Sequence, residues 1–434
     1  MTAFAPRALR NLLKEDLARG SGVNLAFTAL HAVLGVAAAV VAARFLGPAG
    51  LGVVALGFML LEFLSAFDNL PTAAFIREYS IAPERRKVAT AFAAKLGLGL
   101  VTTVVVLALS PLIASLLDIP IIVPAGFALI PTVAAFGSVA IAAREARRDN
   151  LRRNVPGTVE RLVTLALYVL ILVVPALPYS PVALFVAATV TASVVGSAAR
   201  RGRPPPFDPR EADWREARAY LSFGLRTQTV SLLEKTVFWI DILLIDILLG
   251  NHATTGLYRA AYSVMAYLPM VAGVVTIMLY PALSEAFGHG RKDEFARTFS
   301  LGFFYGLAIA IPGALVALLF PEFIVLTLFG PGFEGAAPLL AGLAPVAVLA
   351  VAMIPFSVSF PAMNRPDLAL RLGLVMVVVN VPLDLVLIPV MGPVGAIVAT
   401  AAAFLAGLGF ALYATLRVGG RAPSLAHVRE VMGR

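Results

Sequence analysis

The chain has no cysteine. Disulfides and thiolate metal sites are therefore excluded. Histidine is nearly as scarce: His31, His252, His289 and His427 are scattered, without the spacing of a metal site. Charge is thin as well. Only 14% of the 434 residues are charged and 60% are hydrophobic, far from the make-up of a soluble domain. No polar stretch is long enough to hold a soluble catalytic domain, and no Gly-rich nucleotide-binding motif occurs. Apolar runs of roughly 18 residues or more fill the sequence instead, which predicts a polytopic α-helical membrane protein.

Twelve spans are predicted, at 22–43, 50–73, 88–116, 120–143, 157–176, 180–199, 219–249, 253–280, 298–320, 334–361, 368–388 and 394–416. The net charge of +9 has a topological pattern. Of 34 Lys and Arg residues, 29 fall in the two termini and in every second connection, among them Arg77, Arg85–Lys87, Arg144–Arg161 and Arg200–Arg218. The opposite connections hold only Arg44. By the positive-inside rule both termini are cytoplasmic. The basic balance is thus a membrane signal, and no nucleic-acid partner is expected. Residues 1–21 are polar, with Leu9, Leu12, Leu13 and Leu17 on one side of a helix. They are read as a surface-lying lead-in helix or a plain approach to the first span, with no cleavable leader.

The longest polar connection, residues 200–218, is rich in proline and charge and reads as a cytoplasmic linker. It divides the chain into six spans (22–199) and six spans (219–416), followed by a tail at 417–434. "RFLGPAGLGVVAL" after the first span and "DILLGNHATTGLYRAA" after the seventh share a Leu-Gly, a short turn and a glycine entering a helix of small residues. Six spans return the chain to the same side, so the repeat is parallel.

Ala43–Gly52 (ARFLGPAGLG), Leu248–Ala261 (LLGNHATTGLYRAA), Tyr280–Glu285 (YPALSE), Leu328–Leu340 (LFGPGFEGAAPLL) and Ile388–Thr400 (IPVMGPVGAIVAT) run through the whole chain. Together they resemble the polysaccharide-transporter, or O-antigen flippase, branch of the multidrug/oligosaccharidyl-lipid/polysaccharide superfamily. The resemblance implies two six-helix lobes around a central cavity and alternating access for a polyprenyl-(di)phosphate-linked oligosaccharide. It also implies a multi-pass protein of a prokaryotic cell membrane, which is not an enzyme and carries no organic cofactor; a monomer is expected. Lipid II flippases carry arginines on the first helix, whereas this chain has Ala32 and Ala38 in that register. The O-antigen-like branch therefore fits better.

Such cargo needs cations for phosphate and hydroxyl or amide groups for sugar. Lys235, near the middle of span seven, and Arg259, in span eight, are the cationic candidates. Tyr258 and Tyr262 flank Arg259 as surfaces for sugar rings. Asn24, Thr28 and His31 form one polar stripe, and Glu62 lies near the centre of span two, as a cavity group or as the partner of Lys235. Lys95 and Arg226 lie about two turns from the cytoplasmic side and are expected to snorkel.

Asp384 follows Asn380 by one turn inside an apolar helix, where a carboxylate is costly. Counting about 1.5 Å per residue from the outer turns puts Asp384 and Thr400 at roughly 10–14 Å and Asp241 at roughly 16 Å. Asp241, Asn380, Asp384 and Thr400 make an all-oxygen set suited to a hard cation. Sodium suits this low-dielectric setting better than a divalent ion. The resemblance implies the same set, because related lipid II flippases hold sodium with these residue types on helices seven, eleven and twelve. It adds the carbonyl near Ala396 as a fifth ligand. A protonated or purely structural Asp384 is the other reading. A small-molecule exporter of the same superfamily is the alternative function. A major-facilitator transporter is disfavoured by "IREYSIAPERRK" between spans two and three, and a membrane glycan enzyme by the short, mostly uncharged outer connections.

Overall fold

In a computed structural model, residues 7–147, 149–173, 180–199, 208–417, 423, 424 and 426 are described. Arg148, residues 200–207 of the linker and most of the 417–434 tail lie outside them, as do the side chains of Leu9, Leu12, Leu13, Leu17 and Arg226. The described residues are α-helical, apart from a 3₁₀ turn at Pro209–Glu211 and short connections. The helices are α1 Arg7–Asp68, α2 Leu70–Ile81, α3 Arg85–Leu116, α4 Ile122–Ala128, α5 Ile130–Ala146, α6 Asn150–Val173, α7 Pro181–Ala199 and α8 Trp214–Leu249. There follow α9 His252–Met265, α10 Tyr267–Gly288, α11 Lys292–Leu319, α12 Pro321–Phe329, α13 Ala336–Ala362, α14 Pro366–Met391 and α15 Pro393–Arg417. Among the described residues, nine helical stretches are long and apolar enough to cross a membrane, and the chain is a multi-pass membrane protein.

Local chemistry sets the helix ends. The break expected after the first span falls inside α1, at Gly47, whose φ of 65° and ψ of −179° leave helical geometry and suit glycine alone. Pro48 then opens the next helical stretch, where its missing N–H costs nothing. The same Gly-Pro device separates α14 from α15, with Gly392 at φ 62°. Between α8 and α9, the Asn251 side chain accepts from the N–H groups of Ala253 and Thr254 and so caps α9.

Span 50–73 is interrupted at Asn69, between α1 and α2, and two further spans differ in detail. Span 120–143 is two helices, α4 and α5, with Pro131 in the first turn of α5. Span 253–280 is divided at Ala266 and continues to Gly288. The helix α12 was not expected; Pro321 starts it and Gly330 ends it. Arg44 fixes α12 in place: its Nε and Nη2 donate to the carbonyls of Leu328 and Thr327 at 2.8 and 2.5 Å. A cation at a helix C-terminus is favourable.

The helices before and after the linker pack separately, α6 on α7 and α14 on α15, and meet where α1 crosses α9 and where α2 and the end of α1 lie along α8. Small residues allow the first crossing. A Cβ on Gly52 would strike the His252 carbonyl, and one on Gly256 the Pro48 carbonyl. Backbone thus approaches backbone, the packing that small residues permit within membranes. Gly224 of α8 likewise lies against the Leu70 carbonyl.

Lys95 corrects one expectation. Rather than snorkelling, it is 2% exposed, with Nζ 3.4 Å from Asp68 Oδ2 and donating to the Thr72 hydroxyl at 3.1 Å. The reason is its face: Lys95 points towards α1 and α2, not towards lipid. A buried ammonium without its carboxylate would cost several kcal/mol, ~3–5 by analogy with other broken pairs.

Candidate functional site

A cavity of about 660 Å³ lies between the halves, lined by α1, α6 and α7 from one side and by α8, α9 and α10 from the other. Two guanidiniums line it, those of Arg161 of α6 and Arg259 of α9. Arg259 stacks on Trp239 at 4.8 Å and on Tyr262 at 5.7 Å, contacts that hold a desolvated cation in place. Arg161 Nη1 donates to the His31 carbonyl at 3.4 Å. Neither guanidinium forms an ion pair among the described residues. Tyr267 and Arg161 converge over Gly35, whose missing side chain leaves them room. Glu160, Thr164, Tyr168, Thr189 and Ser193 add hydroxyl and carboxylate groups to the same wall. Two of these contacts are explicit: Ser193 donates to Glu160 Oε1 at 3.0 Å, and the Tyr168 and Thr189 hydroxyls are 2.8 Å apart.

Arg259, Tyr262 and His31 line this cavity. Lys235 and Glu62 do not: they join the halves through an ion pair of 2.6 Å. Lys235 also donates to Ser65 Oγ at 2.7 Å and to the Glu62 carbonyl at 3.0 Å. Asn24 sits in the interface of α1 with α6, donating to Asn150 at 3.3 Å and accepting from Asn154 at 2.8 Å. His31 Nε2 is 2.8 Å from the Thr158 hydroxyl. Thr28, between them on the stripe, is half-buried. Tyr258 offers no face to the cavity; it is 1% exposed and bound to Asp241.

The second cluster is buried in the C-terminal half. Asp241 Oδ2 accepts from the Tyr258 hydroxyl at 2.6 Å and from the Thr400 hydroxyl at 2.8 Å. The Asn380 amide donates to Thr400 at 3.3 Å and reaches Asp241 Oδ1 at 3.5 Å. Asp384 is fully buried beside Asp241, yet among the described residues neither of its oxygens has a hydrogen-bond donor, nor has Asn380 Oδ1. Ala396 is fully buried as well. The Tyr258, Thr400 and Asn380 donors are spent on Asp241 and Thr400, which leaves three acceptor atoms without a donor among the described residues. Orphaned acceptors of this kind are costly, and a small cation or a proton would complete them. All are oxygens, so the set fits a hard cation.

Arg161, Trp239 and Tyr267 were missed from sequence. A signal existed: Asn154, Thr158 and Arg161 repeat at helical spacing, a second polar stripe matching Asn24, Thr28 and His31.

Residues 41–338 match the model of a family described as polysaccharide biosynthesis protein, and the chain belongs to that family. This agrees with the resemblance carried by the Leu-Gly-Pro and Gly-Pro-Gly motifs. Two relatives come from Haloferax volcanii. The probable low-salt glycan biosynthesis flippase Agl15 is 27% identical over 195 residues, 45% of this chain and 41% of the relative. The probable flippase AglR is 23% identical over 165 residues, 37% of this chain and 34% of the relative. The chain thus matches less than half the length of these relatives. The fold is that of an inward-facing multidrug resistance MATE family transporter of the MOP superfamily, with TM-score 0.77, 17% identity and coverage of 92% of this chain and 98% of that one. The lipid II flippase MurJ in an inward closed conformation gives TM-score 0.69 at 14% identity, covering 90% of this chain and 86% of that one.

Proposed function

We propose that the protein is a flippase that carries a polyprenyl-(di)phosphate-linked oligosaccharide from the cytoplasmic to the outer leaflet by alternating access. Its work is transport, not catalysis. The observation that carries this reading is the pair of guanidiniums lining one cavity, neither in an ion pair among the described residues, with tyrosine, tryptophan and hydroxyl groups in its walls. Guanidiniums bind phosphate oxygens in forks, and the aromatic and hydroxyl groups suit the faces and edges of sugars. The name of Agl15, a glycan biosynthesis flippase, supports a glycan cargo, and that of AglR supports flipping.

In this reading the chain is two six-span lobes, 22–199 and 219–416, with a cytoplasmic lead-in at 1–21, a cytoplasmic linker at 200–218 and a cytoplasmic tail at 417–434. Arg259, Tyr262 and His31 serve the cavity, and Arg161 joins them as the second phosphate ligand; the Lys235–Glu62 pair and the Asn24–Thr28 stripe hold the helices around it. Asp241, Asn380, Asp384 and Thr400 hold sodium, whose binding biases the second lobe between states. Orientation is tested with single cysteines in the Cys-free chain. Arg210→Cys is expected to label from the cytoplasm and Asn251→Cys from outside; reversed labelling overturns the topology.

The likeness to a MATE fold favours an exporter of small molecules as the second reading. Reconstituted vesicles separate the two. The flippase should bring a fluorescent polyprenyl-diphosphate glycan to the outer leaflet and leave cationic dyes where they are. Dye export without glycan translocation would establish the exporter instead.

A further inference from the structure

His252 opens α9 in the C-terminal half and sits at its crossing with α1, where its own carbonyl abuts Gly52. Its ring links the two halves. Nδ1 lies 2.8 Å from Asp246 Oδ1, on α8 of the same half. Nε2 lies 3.0 Å from the Asp118 carbonyl, in the connection between α3 and α4 of the other half. That connection holds its carbonyl in place by a rare backbone state, with Asp118 at φ 50°. The Asp246 carboxylate is 4% exposed and also accepts from the Thr255 hydroxyl at 2.9 Å.

Both partners of the ring are acceptors. A neutral imidazole has one N–H and satisfies only one of them, whereas the imidazolium satisfies both. We propose that His252 is a proton-operated latch: protonated, it ties the two halves together at the outer mouth; neutral, it releases them. The proposal rests on the alternating-access reading, which the vesicle assay tests separately.

The charged groups facing the ring are Asp246 from α8 and Asp118 from the α3–α4 connection, while α1 presents Gly52. Burial works against the charge, but the Asp246 carboxylate and the Asp118 carbonyl outweigh it and raise the imidazole above its ordinary value. Asp246 travels with His252, because α8 and α9 are neighbours in one half. Only the Asp118 contact is broken when the halves part. The closed state therefore binds the proton more tightly than the open one, and by linkage acid favours closure. The stabilisation is complete at low pH and is lost as pH rises through the closed-state value. One hydrogen bond to a charged group changes the closed-to-open ratio about tenfold.

The test uses spin labels at Ile121→Cys and Val394→Cys, exposed positions next to the α3–α4 and α14–α15 turns of opposite halves. Their distance distribution is recorded in nanodiscs from about pH 5.5 to about pH 8.5, the range in which histidine titrates. The short-distance population should rise about tenfold relative to the long one on acidification, and His252→Gln should abolish the change. If H252Q does not fold, H252N is read in its place. A wild type whose distances ignore pH, one that opens in acid, or a response that survives both substitutions would overturn the latch.

Discussion

Sodium should raise the melting temperature of the purified protein by several degrees over choline at equal ionic strength, and Asp384→Asn should abolish that rise. Binding to the folded state alone contributes about 2.7 kcal/mol when the ion is a hundredfold above its Kd. The orphaned oxygens of Asp384 and Asn380 are where such an ion gains its contacts. Asparagine keeps the shape of Asp384 and removes its charge. The variant therefore loses the sodium response without losing basal stability, since it also relieves an uncompensated buried carboxylate. Asp241→Asn should lose the response too, because the Tyr258 and Thr400 hydroxyls would no longer be held by a carboxylate. A wild type indifferent to sodium in both melting and transport would mean that Asp384 holds a proton or only supports the helices.

Removing the two cavity guanidiniums has the larger effect on transport. Each charge-assisted contact to phosphate contributes about 1.5–3 kcal/mol, so Arg161→Gln and Arg259→Gln should each slow glycan translocation by roughly ten- to a hundredfold. The double variant should be near background. Arg259→Lys should rescue poorly, because the stack on Trp239 and the forked geometry both belong to arginine. Lys235→Ala differs in kind. It leaves Glu62 without its ion pair and should lower stability as well as transport. Full translocation by R161Q/R259Q would rule out both arginines as phosphate ligands.

Much of the fold was legible because apolar length and charge alternation are properties of whole segments. Breaks were less legible. The break after Ala43 was marked by Gly47 and Pro48, but nothing in hydropathy marked the division of span 120–143 between α4 and α5. Arg161 was misplaced. It was counted with the cytoplasmic charges of the fourth connection although it lies within the predicted span 157–176, and α6 carries it to the cavity wall. The buried oxygen cluster was more legible than the cavity. A carboxylate in an apolar helix stands out alone, whereas cavity residues acquire meaning only from what faces them. Lys235 illustrates this: its partner, Glu62, is 173 residues away.

The ion pair of Lys95 with Asp68 gives the two halves different relations to the medium. In the N-terminal half the positive charge that answers a buried carboxylate is covalently part of the chain, so that half carries its counter-ion at any salt concentration. In the C-terminal half no ammonium or guanidinium pairs with Asp384 among the described residues. If Asp384 takes sodium as its counter-charge, as proposed, dilution of the salt should leave the Lys95–Asp68 pair unchanged and reach the Asp384 cluster, an asymmetry set by a single lysine.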